Sequence, residues 1–363
     1  MQNFDIQNYM SKGIRNIVKN TMRSAVRNPK EAGFLLKFSA SSARASSRRQ
    51  ELETQGTHIP PFLIASITSQ CNLHCKGCYS RQNHATTDCQ PENQLTTLEW
   101  SKVFSEAESL GISFILLAGG EPVMRKDVIR EASAFQNIVF PIFTNGVFIS
   151  KEDFQLFDDN RNLIPILSIE GDRDMTDERR GTGIFDRQMR NMQELQNRGL
   201  LFGASVTVTK KNQSLVFSED FVRTLADAGC GILIYVEYVP VSQETEHIAP
   251  DDADREFMAE SLLHLRESCP DMLFLSFPGD EKATGGCLAA GRGFFHINSH
   301  GDAEPCPFSP YSDTNIRTHS LLEVMQSGLF RKLHDSGVLL QEHSGGCVLF
   351  MHQEFVKETA GSL

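Results

Sequence analysis

The sequence predicts an α/β protein built on a partial (β/α)6 barrel of the TIM type, with a small cysteine-bearing C-terminal extension and a basic helical N-terminal segment. Short apolar runs alternate with helical patterns from residue 62 onward, and cysteines or glycines follow the first two runs. After residue 278 the chain becomes rich in Gly, Pro and Cys. Because strands joined by helices form parallel sheets, with active sites at the carboxyl ends of barrel strands, we expect domains at 1–60, 61–278 and 279–363.

The individual elements follow from hydrophobic periodicity. Runs rich in Val, Ile, Phe and Thr predict strands at 62–68, 113–120, 139–146, 163–171, 201–209 and 232–240. Helical patterns lie between and after them, at 95–111, 129–136, 150–159, 185–199, 218–229 and 252–268. Their regular alternation predicts a parallel sheet. A partial or complete barrel is favoured over an open doubly wound sheet, because the polar and cysteine-bearing signals lie just after strands, at the carboxyl-end rim.

Composition describes an ordinary globular protein of 363 residues, 40% hydrophobic and 22% charged. No run of about 18 apolar residues predicts a membrane span, and the amino terminus lacks the order of a secretory signal. We therefore expect a cytoplasmic protein, in which the nine cysteines are ligands, catalysts or core residues rather than disulfides. The net charge of −11 argues against a nucleic-acid partner.

The first 50 residues form a basic segment, with ten Lys or Arg against only Asp5 and Glu31. Apolar residues recur in it at intervals of four, at 14, 18, 22 and 26, which is typical of an amphipathic helix. Two interpretations stay open. The segment could contact an anionic membrane surface peripherally, or it could dock on its own domain with its charges facing water.

Three cysteines crowd into the loop after the first predicted strand: Cys71, Cys75 and Cys78. Three neighbouring thiols cannot all pair as disulfides, so a metal is the first candidate. Three thiolates can hold an iron–sulfur cubane and leave one iron open for chemistry. The alternative is a zinc site in which His84 or Cys89 completes the coordination of Cys75 and Cys78.

The CxxxCxxC pattern at the end of the first strand, together with AGGEP at 118–122, resembles the radical S-adenosylmethionine (radical SAM) superfamily. The resemblance covers roughly residues 62–240. It implies a [4Fe-4S] cluster whose open iron chelates S-adenosylmethionine. It also implies reductive cleavage to a 5′-deoxyadenosyl radical that abstracts hydrogen from a substrate. The cofactor carries this chemistry, and the protein orients it and excludes water.

The same resemblance suggests ligand contacts at the first two strand ends. It places the backbone of Gly119 and Gly120, with Glu121 nearby, at the methionine amino group. Glycine permits such a close approach, although a simple strand-to-helix turn would also explain the pair. Tyr79 matches an aromatic position near adenine, or is an aromatic residue that covers the core at the rim.

Further contacts follow from the fourth and fifth strands. Ser168 and Glu170 share one face of the fourth strand, where relatives contact the ribose. Arg180, with a second arginine adjacent, matches an arginine directed at the methionine carboxylate, a group that a guanidinium fork suits. Ser205 and Thr207 share a face of the fifth strand and could donate to the same carboxylate, or are hydroxyls tolerated in a strand.

A second set of cysteines, Cys287, Cys306 and Cys347, lies in the C-terminal extension. The pattern from Cys287 to Cys306 resembles the opening of a SPASM or shorter twitch extension, which implies a second [4Fe-4S] cluster. Three cysteines allow one further cluster, its fourth iron open or capped by His343, His352 or substrate. The alternative is three structural thiols.

The leading hypothesis is thus a radical SAM enzyme acting on a peptide or small-molecule substrate, with an electron donor such as flavodoxin or ferredoxin. Peptide or protein modification and cofactor or small-molecule maturation both remain open. Competing hypotheses are a non-catalytic iron–sulfur redox sensor or scaffold, a radical SAM enzyme acting on a lipid-linked substrate at the membrane surface, and a zinc-stabilised barrel hydrolase.

Overall fold

One nine-stranded sheet organises the computed structural model, which describes residues 29–240, 243–341 and 347–361. The strands are β1 Phe62–Thr68, β2 Phe114–Gly119, β3 Phe140–Thr144, β4 Leu163–Ser168, β5 Gly203–Val208, β6 Ile232–Glu237, β7 Leu273–Phe277, β8 His296–Ile297 and β9 Ala303–Glu304. Their spatial order is β7-β6-β5-β4-β3-β2-β1-β8-β9, so β1 to β7 lie side by side in chain order. All six predicted strands are confirmed.

Helices lie between and beside the strands, and those that connect β1 to β7 pack on one face of the sheet. They are α1 Pro29–Thr54, α2 Tyr79–Gln82, α3 Thr97–Leu110, α4 Lys126–Ala132, α5 Lys151–Asp159, α6 Arg173–Arg180, α7 Ile184–Asn197, α8 Gln213–Val216, α9 Glu219–Asp227, α10 Asp252–Ser268, α11 Leu321–Met325, α12 Gly328–Asp335, α13 Val348–Met351 and α14 Gln353–Gly361. The six predicted helices correspond to α3, α4, α5, α7, α9 and α10. The sequence analysis missed α6, because its residues RDMTDERR carry no apolar period.

Local sequence explains where these helices begin and end. A capping box starts α3, because the Thr96 side chain accepts from the Glu99 backbone and the Glu99 side chain accepts from the Thr96 backbone. Gly111 ends the same helix in the left-handed region, at φ 85°. Ser150 and Asp251 cap α5 and α10 in the same reciprocal way. These caps fix the length of each crossover and so the position of each strand end.

Neighbouring strands from β1 to β7 pair in parallel, as the alternation predicts. The sequence analysis did not predict β7, a five-residue run that follows the last predicted helix. The C-terminal segment then adds β8 parallel to β1, with Ile64 opposite His296, and β9 antiparallel to β8. The extension is therefore continuous with the main sheet, and the predicted domain boundaries stay a prediction.

The core lies on both faces of the sheet. The larger cluster fills the face covered by the crossover helices and includes Trp100, Phe104 and Phe157. The second cluster lies on the opposite face, which we call the inner face, and includes residues near the beginnings of several strands such as Ile164 and Leu273. The carboxyl ends of the strands carry the polar residues described below.

Helix α1 closes the amino-terminal end of the inner face. Its Phe34, Leu35 and Phe38 belong to the inner cluster, and the Phe38 ring lies 5.5 Å from that of Phe114 at the start of β2. Pro29–Thr54 of the basic segment therefore docks on the sheet, whereas the choice between the two interpretations of the first 50 residues stays open. The apolar stripe at 14, 18, 22 and 26 lies outside the described residues. No described helix has the length and apolar character needed to cross a membrane.

Candidate functional site

The three-cysteine loop follows β1 directly. Cys71, Cys75 and Cys78 are each half-buried, and all three are free thiols. Burial raises the pKa of the Cys71 thiol to about 11, and the negative charges of Glu121, Cys75 and Cys78 add to the shift. The three sulfurs therefore share one electrostatic environment, in which a bound cation would be favourable.

Hydrogen bonds from several elements hold this loop in place. The Cys71 amide donates to the Thr87 carbonyl at 2.9 Å, and the Lys76 amide donates to the Arg179 carbonyl at 2.8 Å. The Arg81 guanidinium spans the loop, donating to the Leu73 carbonyl at 2.9 Å and to the Cys71 carbonyl at 3.2 Å. The thiols thus stand on a fixed backbone.

The glycine pair at the end of β2 lies against the segment that leads into this loop. The Gly120 amide donates to the Thr68 carbonyl, and the Glu121 amide donates to the Gln70 carbonyl, both at 2.8 Å. A Cβ on Gly119 would lie 2.1 Å from the Thr68 oxygen, and one on Gly120 would lie 2.1 Å from the Gln70 oxygen. Only glycine fits at either position, so the pair sets how closely β2 approaches the cysteine loop.

Glu121 is buried and ties the ends of two strands together. One carboxylate oxygen accepts from the Thr144 hydroxyl at 2.6 Å and the Val123 amide at 3.1 Å, and the other accepts from the Asn145 amide at 2.7 Å. Burial raises the pKa of this carboxyl, and these hydrogen bonds oppose the rise. Glu121 therefore positions the β2 and β3 ends, and its predicted ligand contact stays a prediction.

Glu170 and its two arginines connect the fourth strand to the cysteine loop. The Glu170 carboxylate accepts from Arg179 at 2.6 Å, from Arg180 at 2.7 Å and from the Thr207 amide at 3.2 Å. Arg180 also places one guanidinium nitrogen 3.9 Å from the Cys75 sulfur. Burial by itself would lower the pKa of Arg180, but Glu170 and Cys75 raise it, so a fixed cation stands between carboxylate and thiol.

The predicted hydroxyl groups come together on the inner face. The Ser205 hydroxyl donates to the Ser168 hydroxyl at 3.5 Å, and both side chains are buried. Thr207 lies beside Glu170 through the amide contact already described. The structure thus brings Ser168 to Ser205 and Glu170 to Thr207, while the predicted ligand contacts of these four residues stay predictions.

Tyr79 turns toward the C-terminal segment. Its ring centroid lies 4.5 Å from that of Phe308. Burial raises the pKa of its hydroxyl, and the charges of Cys78, Cys306 and Glu304 add to the shift. Tyr79 therefore lies between the two sets of cysteines, and the predicted stacking on adenine stays a prediction.

The sequence analysis missed Tyr238, which follows β6 directly. It is 3% exposed, and its hydroxyl has no hydrogen-bond partner among the described residues. A Cβ on Gly77, between Cys75 and Cys78, would lie 2.9 Å from the Tyr238 hydroxyl oxygen. The glycine thus makes room for the ring, and an aromatic residue just after a barrel strand was the available signal.

The C-terminal thiols are buried or half-buried. Cys287 and Cys306 are 5% and 6% exposed, and the half-buried Cys347 directly precedes α13. Burial raises the pKa of Cys287, and the charges of Glu281, Cys306 and Cys347 add to the shift. Burial also raises the pKa of Cys306, with the charge of Cys347 adding to the shift, and raises the pKa of Cys347 to about 12. A bound cation offsets the cost of burying thiolates, so these thiols suit a positively charged cluster.

The structure places some of the other cysteines and histidines. Cys230 and Cys269 pack with the main core, whereas Cys89 is exposed. Among the described residues, no three Cys, His, Asp or Glu side chains come close enough to hold a single metal ion. One zinc ion takes its donors at ~2.3 Å, whereas a cubane spaces its ligands more widely. His343 lies outside the described residues, and a capping role for His352 stays a prediction.

Comparisons relate this chain to known proteins. The model of the radical SAM superfamily matches residues 65–214. The AdoMet-dependent heme synthase of Methanosarcina barkeri is 28% identical over 336 residues, covering 84% of this chain and 91% of that protein. The mycofactocin maturase of Mycolicibacterium smegmatis is 23% identical, covering 74% and 69%. Streptococcus suis SuiB bound to S-adenosylmethionine shares the fold, with a TM-score of 0.68, 19% identity, and coverage of 85% and 78%.

The donor set of the β1 loop fits the cofactors of this superfamily, a [4Fe-4S] cluster and S-adenosylmethionine. Three thiols share one loop, a guanidinium lies beside one of them, and a glycine pair holds the adjoining strand close. When bound, the cluster supplies the electron that cleaves the sulfonium and releases the 5′-deoxyadenosyl radical. Residues 65–214 thus form a radical SAM domain, and the chain is a radical SAM enzyme whose reaction begins with reductive cleavage of S-adenosylmethionine.

Proposed function

We propose that Cys71, Cys75 and Cys78 hold the cluster and that the neighbouring side chains of this chain orient S-adenosylmethionine. The position of Arg180 is the observation that carries the proposal. Its guanidinium is fixed by Glu170 and lies 3.9 Å from the Cys75 sulfur, where a cation can attract the methionine carboxylate. The backbone at Gly119 and Gly120 faces the methionine amino group.

The inner face would hold the rest of the ligand. Ser168 and Ser205 offer hydroxyls on adjacent strands, and Thr207 lies at the rim beside Glu170. Their hydrogen bonds would orient the ribose and carboxylate groups. Apolar residues below them, including Phe38 of α1, exclude water from the other end of the inner face.

A second iron–sulfur site is proposed at Cys287, Cys306 and Cys347. Tyr79 supports its link to the first site, because burial and the charges of both Cys78 and Cys306 raise the pKa of its hydroxyl. Cys287, Cys306 and Cys347 would hold this cluster, which would supply an acceptor for the one electron that a substrate radical loses when it is oxidised. A small electron donor such as flavodoxin or ferredoxin would reduce the first cluster.

For the substrate, an iron tetrapyrrole is the first candidate. This assignment rests on the heme synthase of M. barkeri, which the alignment covers over 91% of its length. The Fe-coproporphyrin III synthase of the same organism is 32% identical, but over only 38% of its length. A peptide is the second candidate, supported by the mycofactocin maturase and by the sporulation killing factor maturation protein of Bacillus subtilis.

An anaerobic assay tests both the cleavage of S-adenosylmethionine and the proposed tetrapyrrole substrate. The reconstituted enzyme is mixed with dithionite, S-adenosylmethionine and Fe-coproporphyrin III, and 5′-deoxyadenosine and porphyrin masses are followed. We expect 5′-deoxyadenosine formation that rises with the porphyrin, together with a porphyrin of changed mass. The control variant Cys75→Ala should form neither. If the wild-type enzyme forms 5′-deoxyadenosine at the same rate without porphyrin and leaves the porphyrin unchanged, the tetrapyrrole assignment is wrong.

A further inference from the structure

A hydrogen-bonded chain of three side chains crosses the sheet where the C-terminal segment pairs with β1. The Ser66 hydroxyl of β1 lies 2.7 Å from Nε2 of His296 in β8. Nδ1 of the same imidazole lies 2.7 Å from a carboxylate oxygen of Glu304 in β9. His296 and Glu304 are each 5% exposed, whereas Ser66 is half-buried. The chain of hydrogen bonds therefore runs from a buried carboxylate to a partly accessible hydroxyl.

Strand pairing brings these three residues together on one face of the sheet. Ile64 of β1 lies opposite His296, and His296 lies opposite Glu304 in the antiparallel pair of β8 and β9. Residues that lie opposite each other, and residues two apart on a strand, share a face. Ala65, on the other face, belongs to the larger cluster beneath the crossover helices. The Ser66 hydroxyl therefore belongs to the inner face.

The turn between β8 and β9 holds the carboxylate in place. The second carboxylate oxygen of Glu304 accepts from the Asn298 side-chain amide at 2.8 Å. The Asn298 side-chain oxygen accepts in turn from the backbone amides of His300 at 2.9 Å and Asp302 at 3.1 Å. Because an ionised carboxylate only accepts hydrogen bonds, Nδ1 of His296 carries the proton that binds Glu304. The remaining ring nitrogen, Nε2, is thereby directed at Ser66.

The position of one proton decides what Ser66 offers to a ligand. When the ring of His296 is neutral, Ser66 donates to Nε2 and its oxygen lone pairs accept from the ligand. When the ring is protonated, Nε2 donates to Ser66 and the hydroxyl proton is directed at a ligand acceptor. A carboxyl group matches both arrangements, because it donates when protonated and accepts when ionised. An ester only accepts, so it cannot share this proton.

The Ser66 hydroxyl lies apart from the residues proposed to orient S-adenosylmethionine. In the sheet, β2 and β3 separate β1 from β4, which carries Ser168, and β5 with Ser205 lies beyond β4. Two residues after Ser66, the Thr68 carbonyl accepts from the Gly120 amide at 2.8 Å, just before the cysteine loop. Ser66 thus lies close to that loop, in a part of the inner face that the proposed S-adenosylmethionine contacts do not use.

We propose that Ser66 binds a carboxyl group of the substrate, and that His296 and Glu304 position its hydroxyl and share the carboxyl proton. The inference rests on the proposed tetrapyrrole substrate, because Fe-coproporphyrin III carries propionate side chains. The carboxyl proton passes to Oγ of Ser66 while the Ser66 proton passes to Nε2 of His296. One O–H bond of the substrate is thus exchanged for one N–H bond of an imidazolium paired with Glu304. Holding one side chain in this way orients the macrocycle relative to the first cluster.

The test compares two forms of one porphyrin. Anaerobic titrations, followed by the absorbance of the porphyrin, measure how the reconstituted full-length enzyme binds Fe-coproporphyrin III and its methyl ester in the same detergent. Ser66→Ala removes the hydroxyl, Ser66→Thr keeps it, and His296→Gln supplies a side-chain amide that cannot take up a proton. Ser133→Ala is a matched control, because it removes a hydroxyl that donates to the Arg130 carbonyl at 2.7 Å just after α4.

We expect the wild-type enzyme to bind the acid more tightly than the ester. Ser66→Ala and His296→Gln should each weaken binding of the acid by about tenfold and leave binding of the ester unchanged. Ser66→Thr and Ser133→Ala should match the wild type. Unchanged affinity of Ser66→Ala for the acid, or an equal loss for acid and ester, would overturn the inference. If Ser66→Ala does not fold, His296→Gln decides alone, because an unchanged preference for the acid then overturns it.

Other results separate this inference from the proposed function. A wild-type enzyme that binds neither form of the porphyrin would refute the tetrapyrrole assignment, and the role of Ser66 with it. A wild-type enzyme that binds both forms equally, yet changes the mass of the acid in the anaerobic assay, would overturn only the role of Ser66. Equilibrium dialysis of Ser66→Ala with S-adenosylmethionine should give the wild-type affinity. A loss there would assign Ser66 to the S-adenosylmethionine site and overturn its role toward the substrate.

Discussion

The substitution Gly120→Ala tests how tightly the end of β2 is fixed against the cysteine loop. The added Cβ would lie 2.1 Å from the Gln70 oxygen and 2.8 Å from the Ser69 oxygen. An ordinary carbon–oxygen contact is about 3.3 Å or longer, so the overlap exceeds about 1 Å. Both partners are backbone atoms, which cannot rotate away. The strand end or the segment leading into the cysteine loop must move.

The expected cost follows from two terms. Overpacking of this kind typically costs about 1–3 kcal/mol. Displacing the strand end also weakens the 2.8 Å hydrogen bond from the Gly120 amide to the Thr68 carbonyl, worth about 1 kcal/mol. The sum, about 2–4 kcal/mol, is below the total stability of an ordinary domain, so the variant should still fold.

Urea unfolding of the iron-free protein measures the stability change. Iron per chain after reconstitution, and anaerobic equilibrium dialysis with S-adenosylmethionine, measure the effect on the site. We expect lower stability, less bound iron and weaker ligand binding. The control Gly33→Ala places a Cβ in open space on α1 and should stabilise the protein by up to about 1 kcal/mol. If Gly120→Ala stays within about 0.5 kcal/mol of wild type and binds iron and ligand normally, the proposed close approach is wrong.

Three further predictions use matched measurements. Tyr235→Phe should lower the free energy of unfolding by about 1 kcal/mol, because the Tyr235 hydroxyl donates to a backbone carbonyl at 2.8 Å. Tyr238→Phe should not lower it, because the Tyr238 hydroxyl has no partner among the described residues. Equal losses of stability in urea unfolding would contradict this reasoning. Glu170→Gln should weaken S-adenosylmethionine binding by about tenfold in equilibrium dialysis, because it weakens the ion pairs that hold Arg179 and Arg180. An unchanged affinity would contradict the proposed role of these arginines. The hydrogen bond from Arg317 is the largest cause that lowers the pKa of Glu99 to about 2, so the stabilisation by this ion pair is present above pH 4.5 and is lost as the pH falls toward 2. Glu99→Gln should therefore reduce the loss of stability to urea on acidification. An unchanged dependence of stability on pH would count against the ion pair.

The sequence located the elements of the barrel because each has its own local signal. The run FLIASIT predicts β1 at 62–68, and the structure has Phe62–Thr68. Strand period also placed Ser168 with Glu170 on one face. In contrast, β8 and β9 are two residues each, and pairing with β1 and with each other creates them. Such short segments carry too little pattern to be recognised alone.

Side-chain roles were harder to predict than positions. Sequence reasoning left open which of two adjacent arginines points inward, and the structure shows that Glu170 binds both while Arg180 also reaches Cys75. Tyr79 was predicted either to lie near adenine or to cover the core at the rim, and its ring contacts Phe308 from a distant part of the chain. Its contact with adenine stays a prediction. These outcomes depend on contacts between segments that are far apart in sequence, so no local period encodes them.

By itself, the sequence determined the alternating strands and helices, the thiol-bearing loop at the first strand end and the glycine pair at the second, because backbone geometry and ligand spacing are properties of short segments. The tertiary structure alone decided that α1 closes the inner face and that Tyr79 contacts Phe308. No local pattern pairs two aromatic residues that are far apart in sequence. They meet only when folding brings the end of the first strand beside the C-terminal extension.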